Sequence, residues 1–287
     1  MDNLSALIVG NLTIDENIEG EEVYTGPGGS AYFCAKILSN LHVRTTVVSP
    51  YGPDFPKMLL QNTSFIPTHP RSDETLAFRN TYNSGNRKQQ VYNQKDYIWP
   101  DLDLDLQDIF LVAPVLDNYK IEKLKYLLPG EVLKILLPQG FFRQVGKNSK
   151  IISKKWEPDN SCLNLFDFII LSEEDYEGIE KEAFLWSNIS PTVILTRAEK
   201  GCSVFQKGQA CDFHGFKTKN IADVTGAGDV FAASFAYAYC RSKNLETSIE
   251  FANASAALSL RYRSNQLKYN YSDIIEFAKA QGRVIRL

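Results

Sequence analysis

The chain is poor in the residues that most metal sites, disulfide frameworks and membrane segments require. Its 287 residues include only three histidines, His42, His69 and His214, with no ligand spacing between them, so no zinc site is expected. The five cysteines, at 34, 162, 202, 211 and 240, are odd in number and have no close pairs; they read as reduced, mostly buried thiols. Nowhere do about 18 uncharged apolar residues follow one another, which argues against a membrane span. The start, MDNLSALIVGNL, has no basic segment and too short an apolar run for a signal peptide, so a cytoplasmic location is expected. Excess positive charge is missing too: a net charge of −3 offers no attraction to nucleic acid or to an anionic membrane. There is no internal repeat and no low-complexity tract. What is present, 44% hydrophobic and 23% charged residues, supports a packed core and excludes general disorder.

The most informative segment is Asp223 to Asp229, DVTGAGD, which passes directly into VFAASFAYAYC. A polar, glycine-rich turn followed by small and aromatic residues at helical spacing places the turn on a helix N-terminus. Unpaired backbone N–H groups and the positive end of the helix dipole make such a place receptive to anions. Gly226, Ala227 and Gly228 have little or no side chain to keep a phosphate from the main chain. A carboxylate at Asp229 repels the anion unless it has its own task, and removing a proton from an attacking hydroxyl during phosphoryl transfer is such a task. The alternative is an aspartate that caps an ordinary helix.

Short apolar runs alternate with helical patterns, the signature of a mostly parallel sheet wrapped by helices. Strands are expected at Leu4–Val9, Arg44–Ser49, Ile109–Ala113, Val132–Leu137, Phe166–Leu171 and Thr192–Thr196, with a late antiparallel pair at Ser203–Gln206 and Cys211–Phe213. Helices are expected at Ser30–Leu41, Asn118–Leu128, Glu173–Lys181, Ala227–Arg241, Leu245–Arg261 and Ser272–Gln281. Thr75–Tyr97 is polar, β-branched and aromatic with a turn at Asn83–Asn86, and reads as a β-hairpin outside this alternation. The extended stretch Thr13–Tyr24 is a candidate to pair with it, giving a small β lid that would exclude water.

Three motif look-alikes fail on their details. GFFRQVGKNS, Gly140 to Ser149, has glycines one residue too far apart for a P-loop and Asn148 where a magnesium-binding hydroxyl is needed. Gly226 and Gly228 begin a dinucleotide fingerprint whose third glycine is Phe231. DLDLDLQD, Asp101 to Asp108, has the alternating acids of a calcium loop but Leu106 and Val112 at the glycine and glutamate positions.

GNLTID (Gly10 to Asp15), GPGGSAYFCA (Gly26 to Ala35), VILTRAEKGCSVF (Val193 to Phe205) and DVTGAGDVFAASF occur in this order, and over nearly the whole chain the sequence resembles the ribokinase-like, or PfkB, carbohydrate kinases. The resemblance implies one three-layer, doubly wound α/β domain over residues 1–287, with a lid from about 13–25 and 75–97. It implies ATP and Mg2+ as cofactors, with a monovalent cation as a further candidate, and a small sugar or cyclitol as substrate. Asp229 would be the catalytic base and Gly226, Ala227 and Gly228 the anion hole. Asp15, Gly28 and Gly29 would hold the sugar together with Asn11. Thr196, Ala198, Gly201, Thr225 and Asn253 would line the nucleotide site, and Glu174 and Asp175 would meet magnesium through water.

Departures from the pattern leave alternatives open. Phe33 stands where relatives usually carry a sugar-binding asparagine, Ser172 begins the strand-end acidic motif, and Ala198 replaces a glycine. The segments Phe78–Tyr92 and Leu136–Arg143 are similar to a branch that includes plant inositol kinases, which makes Arg87, Gln139 and Arg143 substrate-side candidates. A nucleoside kinase would need an aromatic slot, for which Tyr32, Phe33 and Tyr82 are the candidates. A sugar-binding regulatory protein on the same fold is the non-catalytic alternative. An exposed apolar face on the lid would favour a homodimer.

Overall fold

The structure is a computed structural model that describes residues 4–68, 73–83, 86–96, 107–118, 132–189 and 191–287. Its centre is β1 (Ser5–Gly10), a run of six residues buried on both faces, as the middle strand of a covered sheet must be. On one side β1 pairs in parallel with β4 (Arg44–Ser49), and β4 with β5 (Thr63–Pro67). On the other it pairs in parallel with β8 (Ile109–Ala113), followed by β9 (Leu133–Leu136), β12 (Phe168–Ser172) and β13 (Thr192–Thr196). The antiparallel strands β14 (Gly201–Gln206) and β15 (Gln209–His214) close this nine-stranded sheet. The chain leaves β1 towards β4 and later returns to build away from β8. The order therefore reverses between β1 and β8, where open α/β sheets form a crevice at the carboxyl ends of the strands.

Alternation along β1 sorts the core into two layers. Ala6 and Ile8 face a cluster built with α1 (Ser30–Asn40), α4 (Ala227–Ser242), α5 (Leu245–Ser259) and α6 (Tyr271–Lys279). Leu7 and Val9 face the opposite cluster, with Cys162 and Leu163 of α2 (Asn160–Leu163) and Ile179, Ala183 and Trp186 of α3 (Ile179–Trp186). The result is a three-layer, mostly parallel α/β fold.

Outside this sandwich stands a four-stranded sheet: β2 (Thr13–Glu19), β3 (Glu22–Gly28), β6 (Leu76–Asn83) and β7 (Asn86–Tyr92), in the order β3-β2-β6-β7. The expected hairpin is β6 with β7; the extended stretch before it is itself a hairpin whose first strand joins β6 in parallel. A short hairpin, β10 (Arg143–Val145) with β11 (Ile151–Ser153), reaches the lid through a bridge from Lys150 to Gln90. The look-alike of a P-loop is thus a 3-10 turn and a hairpin.

The helix expected from Glu173 is displaced. Asp175 turns its carboxylate back to the Ser172 N–H (2.8 Å), Gly178 adopts φ 89°, and helical geometry starts only at Ile179. The sequence pattern missed β5 and the β10–β11 hairpin, both short and half exposed. The expected helix at 118–128 and the acidic run at 101–108 lie almost wholly outside the described residues. The cysteines form no disulfide: 34, 162 and 202 are buried, 240 is partly buried and 211 is exposed.

Candidate active site

The crevice predicted by the strand order is occupied by the first motif. Asn11 follows β1, and its Oδ1 accepts the Val115 N–H beyond β8 (2.9 Å), bridging the point where the order reverses. Its Nδ2 is buried and has no partner among the described residues, an expensive state for an amide unless a ligand completes it. The diglycine packs against these residues. A Cβ on Gly28 would lie 2.3 Å from the Asp15 carboxylate, and one on Gly29, at φ 84°, would lie 2.3 Å from the Asn11 carbonyl oxygen. Only glycine allows both approaches. Asp15 is buried on β2 and accepts the Thr13 hydroxyl at 2.6 Å.

Directly after the diglycine begins α1, and its N-terminus meets that of α4. Gly226 is left-handed (φ 78°) and precedes Ala227, the first residue of α4, so Asp229 sits in the first turn. The Phe33 ring fills the space beside Gly226, within 2.3 Å of where a Cβ would stand, whereas a Cβ on Gly228 would meet nothing within 4 Å. The helix start is therefore packed from behind and open in front. Thr225 is held by its N–H to Asp223 Oδ1 (2.8 Å).

Electrostatics pick out two acids. Burial pushes the Asp229 carboxyl up to about 6; the Ser30 hydroxyl and the Arg143 charge pull it down, while Asp175 and Asp15 push further up. The helix dipole, worth about 0.3–1 kcal/mol, is too small to reverse the loss of solvation. Asp175 is also pushed up to about 6, by burial first, against the Ser172 N–H and Arg143. Cys34, its thiol well raised by burial and by the charge of Asp229, donates to the Asp229 carbonyl oxygen at 3.5 Å. Arg143 thus lies between two acids, and the aromatic pairs Phe141–Trp156 (4.7 Å) and Phe142–Tyr176 (5.1 Å) fix the turn from which it emerges. Gln139 lies on that turn, half-buried.

The other expected residues are more dispersed. Glu174 is exposed at the turn after β12, where its N–H meets the Ser172 hydroxyl. Thr196 ends β13 with its hydroxyl on the Leu171 carbonyl (3.0 Å). Ala198 takes φ 48° and Gly201 φ 102° in the following turn. Asn253 is buried on α5 next to the Cys202 thiol, with Nδ2 unpartnered among the described residues, so it is not a surface residue. The backbone of Arg87 pairs with Tyr82, and its side chain lies outside the described residues. Two of the three candidates for an aromatic slot are instead core residues: Tyr32 and Phe33 are buried, and the Tyr32 hydroxyl donates to the Ser264 carbonyl (2.9 Å). Ser30 was missed from sequence, although its place after the diglycine marks it. Among the described residues no three His, Cys, Asp or Glu side chains cluster as a metal cage, and no helix is long and apolar enough to cross a membrane.

The fold is shared with solved kinases of the ribokinase family. Among solved structures, a pyrophosphate-dependent kinase of the ribokinase family, complexed with a pyrophosphate analogue and myo-inositol, matches with a TM-score of 0.73 and 19% identity over 92% of this chain and 99% of that one. The ribokinase of Thermotoga maritima matches with a TM-score of 0.68 and 20% identity, over 96% and 99%. The cytidine kinase of Thermococcus kodakarensis is 24% identical over 268 residues, 85% of this chain and 91% of that protein. Residues 146–270, which include Asp175, the anion turn and Asn253, match the pfkB family carbohydrate kinases. That match and the shared fold make the chain similar to the ribokinase-like PfkB kinases.

Proposed function

We propose that the protein transfers the γ-phosphoryl group of ATP to a hydroxyl of a small sugar or cyclitol. The observation that carries this reading is Asp229: an acid raised to about 6, in the first turn of a helix whose approach at Gly228 is open. A carboxylate of that basicity is ionised at neutral pH yet takes a proton more readily than an ordinary aspartate. It would accept the proton of the attacking hydroxyl while the N–H groups at Gly226, Ala227 and Gly228 stabilise charge on the transferring group. Asp15, the orphaned Nδ2 of Asn11 and the backbone at Gly28 and Gly29 would hold the acceptor. Arg143, with Gln139 beside it and Arg87 on the lid, would balance the negative charge that gathers there.

On the donor side, Thr196, Ala198, Gly201 and Thr225 would shape the phosphate path, and Asn253 would supply the amide for the base. Ile221 and Val224, both more than half exposed just before the turn, support a nucleobase platform. Asp175 and Glu174 suit a magnesium ion that arrives with the phosphates and keeps its waters, because the residues form no cage of their own. Bound there, magnesium would neutralise charge on the donor phosphates.

A second donor, pyrophosphate, is favoured by the likeness to pyrophosphate-dependent kinases and presents the same diphosphate to the turn. As acceptor, a nucleoside is favoured by the cytidine kinase relative and disfavoured by the buried Tyr32 and Phe33. The test is product release from Mg·ATP and from magnesium pyrophosphate across pentoses, hexoses, inositols and nucleosides, with Asp229→Asn as control. Turnover with a polyol that vanishes in the variant supports the reading. Thermal stabilisation by a sugar without turnover would replace it with a binding protein.

A further inference from the structure

We infer that Asn17, Asn80 and Gln89, on the inner face of the lid, form the element that selects a polyhydroxylated ring as acceptor; the inference rests on the kinase reading above. Side chains alternate across a strand, so Asn17 shares a face with Asp15 on β2, Asn80 with Phe78 on β6, and Gln89 with Val91 on β7. The register sets all three in one row, Asn17 opposite Asn80 and Asn80 opposite Gln89. They are joined through their amides: Asn80 Nδ2 donates to Asn17 Oδ1 at 2.9 Å, and Gln89 Nε2 donates to Asn80 Oδ1 at 2.9 Å.

The neighbouring row shows which way this face looks. Phe78 and Val91 pack with Val115 and Leu116 beyond β8, and Asp15 lies beside them against the diglycine. The amide row is the next one along the same face, one step further from the sandwich. The opposite face carries the exposed Glu16–Arg79 ion pair. Asparagine and glutamine are poor choices for strand interiors, and a closed lid needs only apolar contact. Asn80 is nonetheless fully buried, held between its two partners.

The direction of the two hydrogen bonds leaves the ends unlike. Asn17 keeps an N–H2 donor and Gln89 a carbonyl acceptor, and neither end has a partner among the described residues. Two strand spacings, about 10 Å between the outer backbones, separate them. Such a roof suits a ring with hydroxyls on both edges, since each hydroxyl both donates and accepts. A nucleobase needs flat apolar faces instead. With Asp229 at the reacting hydroxyl and Asp15 near it, the row reads the hydroxyls remote from the reaction, so its loss should weaken acceptor binding more than the chemical step.

The experiment compares wild type, Asn17→Leu and Gln89→Leu on myo-inositol, ribose and cytidine, by steady-state kinetics and calorimetric binding, with the melting temperature of each variant as the folding control. In the two leucine variants KM for the preferred polyol should rise roughly 10- to 100-fold with kcat within threefold, while KM for ATP stays put. Polyol turnover by wild type with KM unchanged in both variants would overturn the ladder and leave the kinase reading intact. An equal loss towards every acceptor would also overturn it, as a general loss of lid structure. If wild type uses only cytidine, or neither binds nor turns over any polyol, the kinase reading for polyols falls and the ladder falls with it.

Discussion

The anion turn and the lid meet at one crevice but are built by opposite means. In the turn, consecutive residues from Asp223 to Asp229 set the backbone: Asp223 holds Thr225, Gly226 takes the left-handed conformation, and α4 starts at Ala227. In the lid, one row of side chains requires strands far apart in sequence, and the Asn17–Asn80 bond spans 63 positions. On the proposed reading, the difference separates chemistry from selection. A local motif can carry a reaction common to many acceptors, whereas a non-local sheet can change its inner surface without disturbing the reacting groups.

The largest expected effect breaks the turn without moving it. Asp229→Asn should lower kcat by about 10²- to 10⁴-fold, roughly 3–5 kcal/mol, with acceptor binding nearly intact. The same variant should be the more stable protein at neutral pH. The folded carboxyl is pushed up to about 6 by burial and an unfolded one keeps the ordinary 3.8, so between these values the native state holds a proton that the unfolded chain has released. Wild-type stability therefore falls as pH rises through that window. Asparagine removes the cost, by about 1–2 kcal/mol above pH 6 after allowance for solvent, and by nothing below pH 4. Thermal melts from pH 4 to 8 alongside kinetics test both halves; a variant with near-normal kcat would remove Asp229 as base.

Next in size is Phe33, the point where the acceptor side supports the turn. Phe33→Asn would restore the residue that relatives usually carry, yet the ring is 2% exposed and packed against Gly226. The substitution should destabilise the fold by about 3 kcal/mol, through lost packing and a buried amide, and should not improve ribose use. A lower KM for ribose at unchanged melting temperature would show that Phe33 shapes the acceptor pocket instead.

A smaller effect sharpens the link between the two sides. The Arg143 charge pulls both Asp229 and Asp175 down, so Arg143→Met should raise both and move the acidic limb of kcat/KM above its expected position near pH 6. The limb should also be steeper than one proton if both acids must be ionised. An unmoved limb would mean that the charge of Arg143 does not reach the acids in solution.

These predictions follow the line between what was and was not legible in the sequence. DVTGAGD gave away its helix start because small residues, an acid and an apolar helical run are adjacent, and the buried strands Arg44–Ser49, Ile109–Ala113 and Thr192–Thr196 were readable to the residue from their apolar runs. The amide row was not, because a period-2 pattern assigns a face but not the strand that will lie opposite. The helix start near Glu173 was misplaced for a local reason: Asp175 satisfies the Ser172 N–H in a turn, competing with the helix that the composition favours. Asn253 was undecidable, since only the packing of α5 shows that its amide is buried with unused donors.

The smallest effect lies in the turn from Thr196 to Gly201, the proposed donor side. Ala198 has φ 48°, within the narrow left-handed region open to an ordinary residue at a cost of about 1 kcal/mol. Gly201 has φ 102° and ψ −123°, which only glycine adopts with ease, and a Cβ there would lie 2.0 Å from the Phe213 carbonyl oxygen. Two substitutions in opposite directions therefore separate strain from close packing. Ala198→Gly should gain at most about 0.5–1 kcal/mol, because relief of strain is partly offset by the greater freedom of glycine in the unfolded chain. Gly201→Ala should lose more than that, since β14 and β15 would have to part. Chemical denaturation measures both, and a loss of stability in Ala198→Gly would mean that the methyl group packs well enough to outweigh its backbone strain. The turn would then be a feature selected for its side chain, not a glycine motif weakened by substitution.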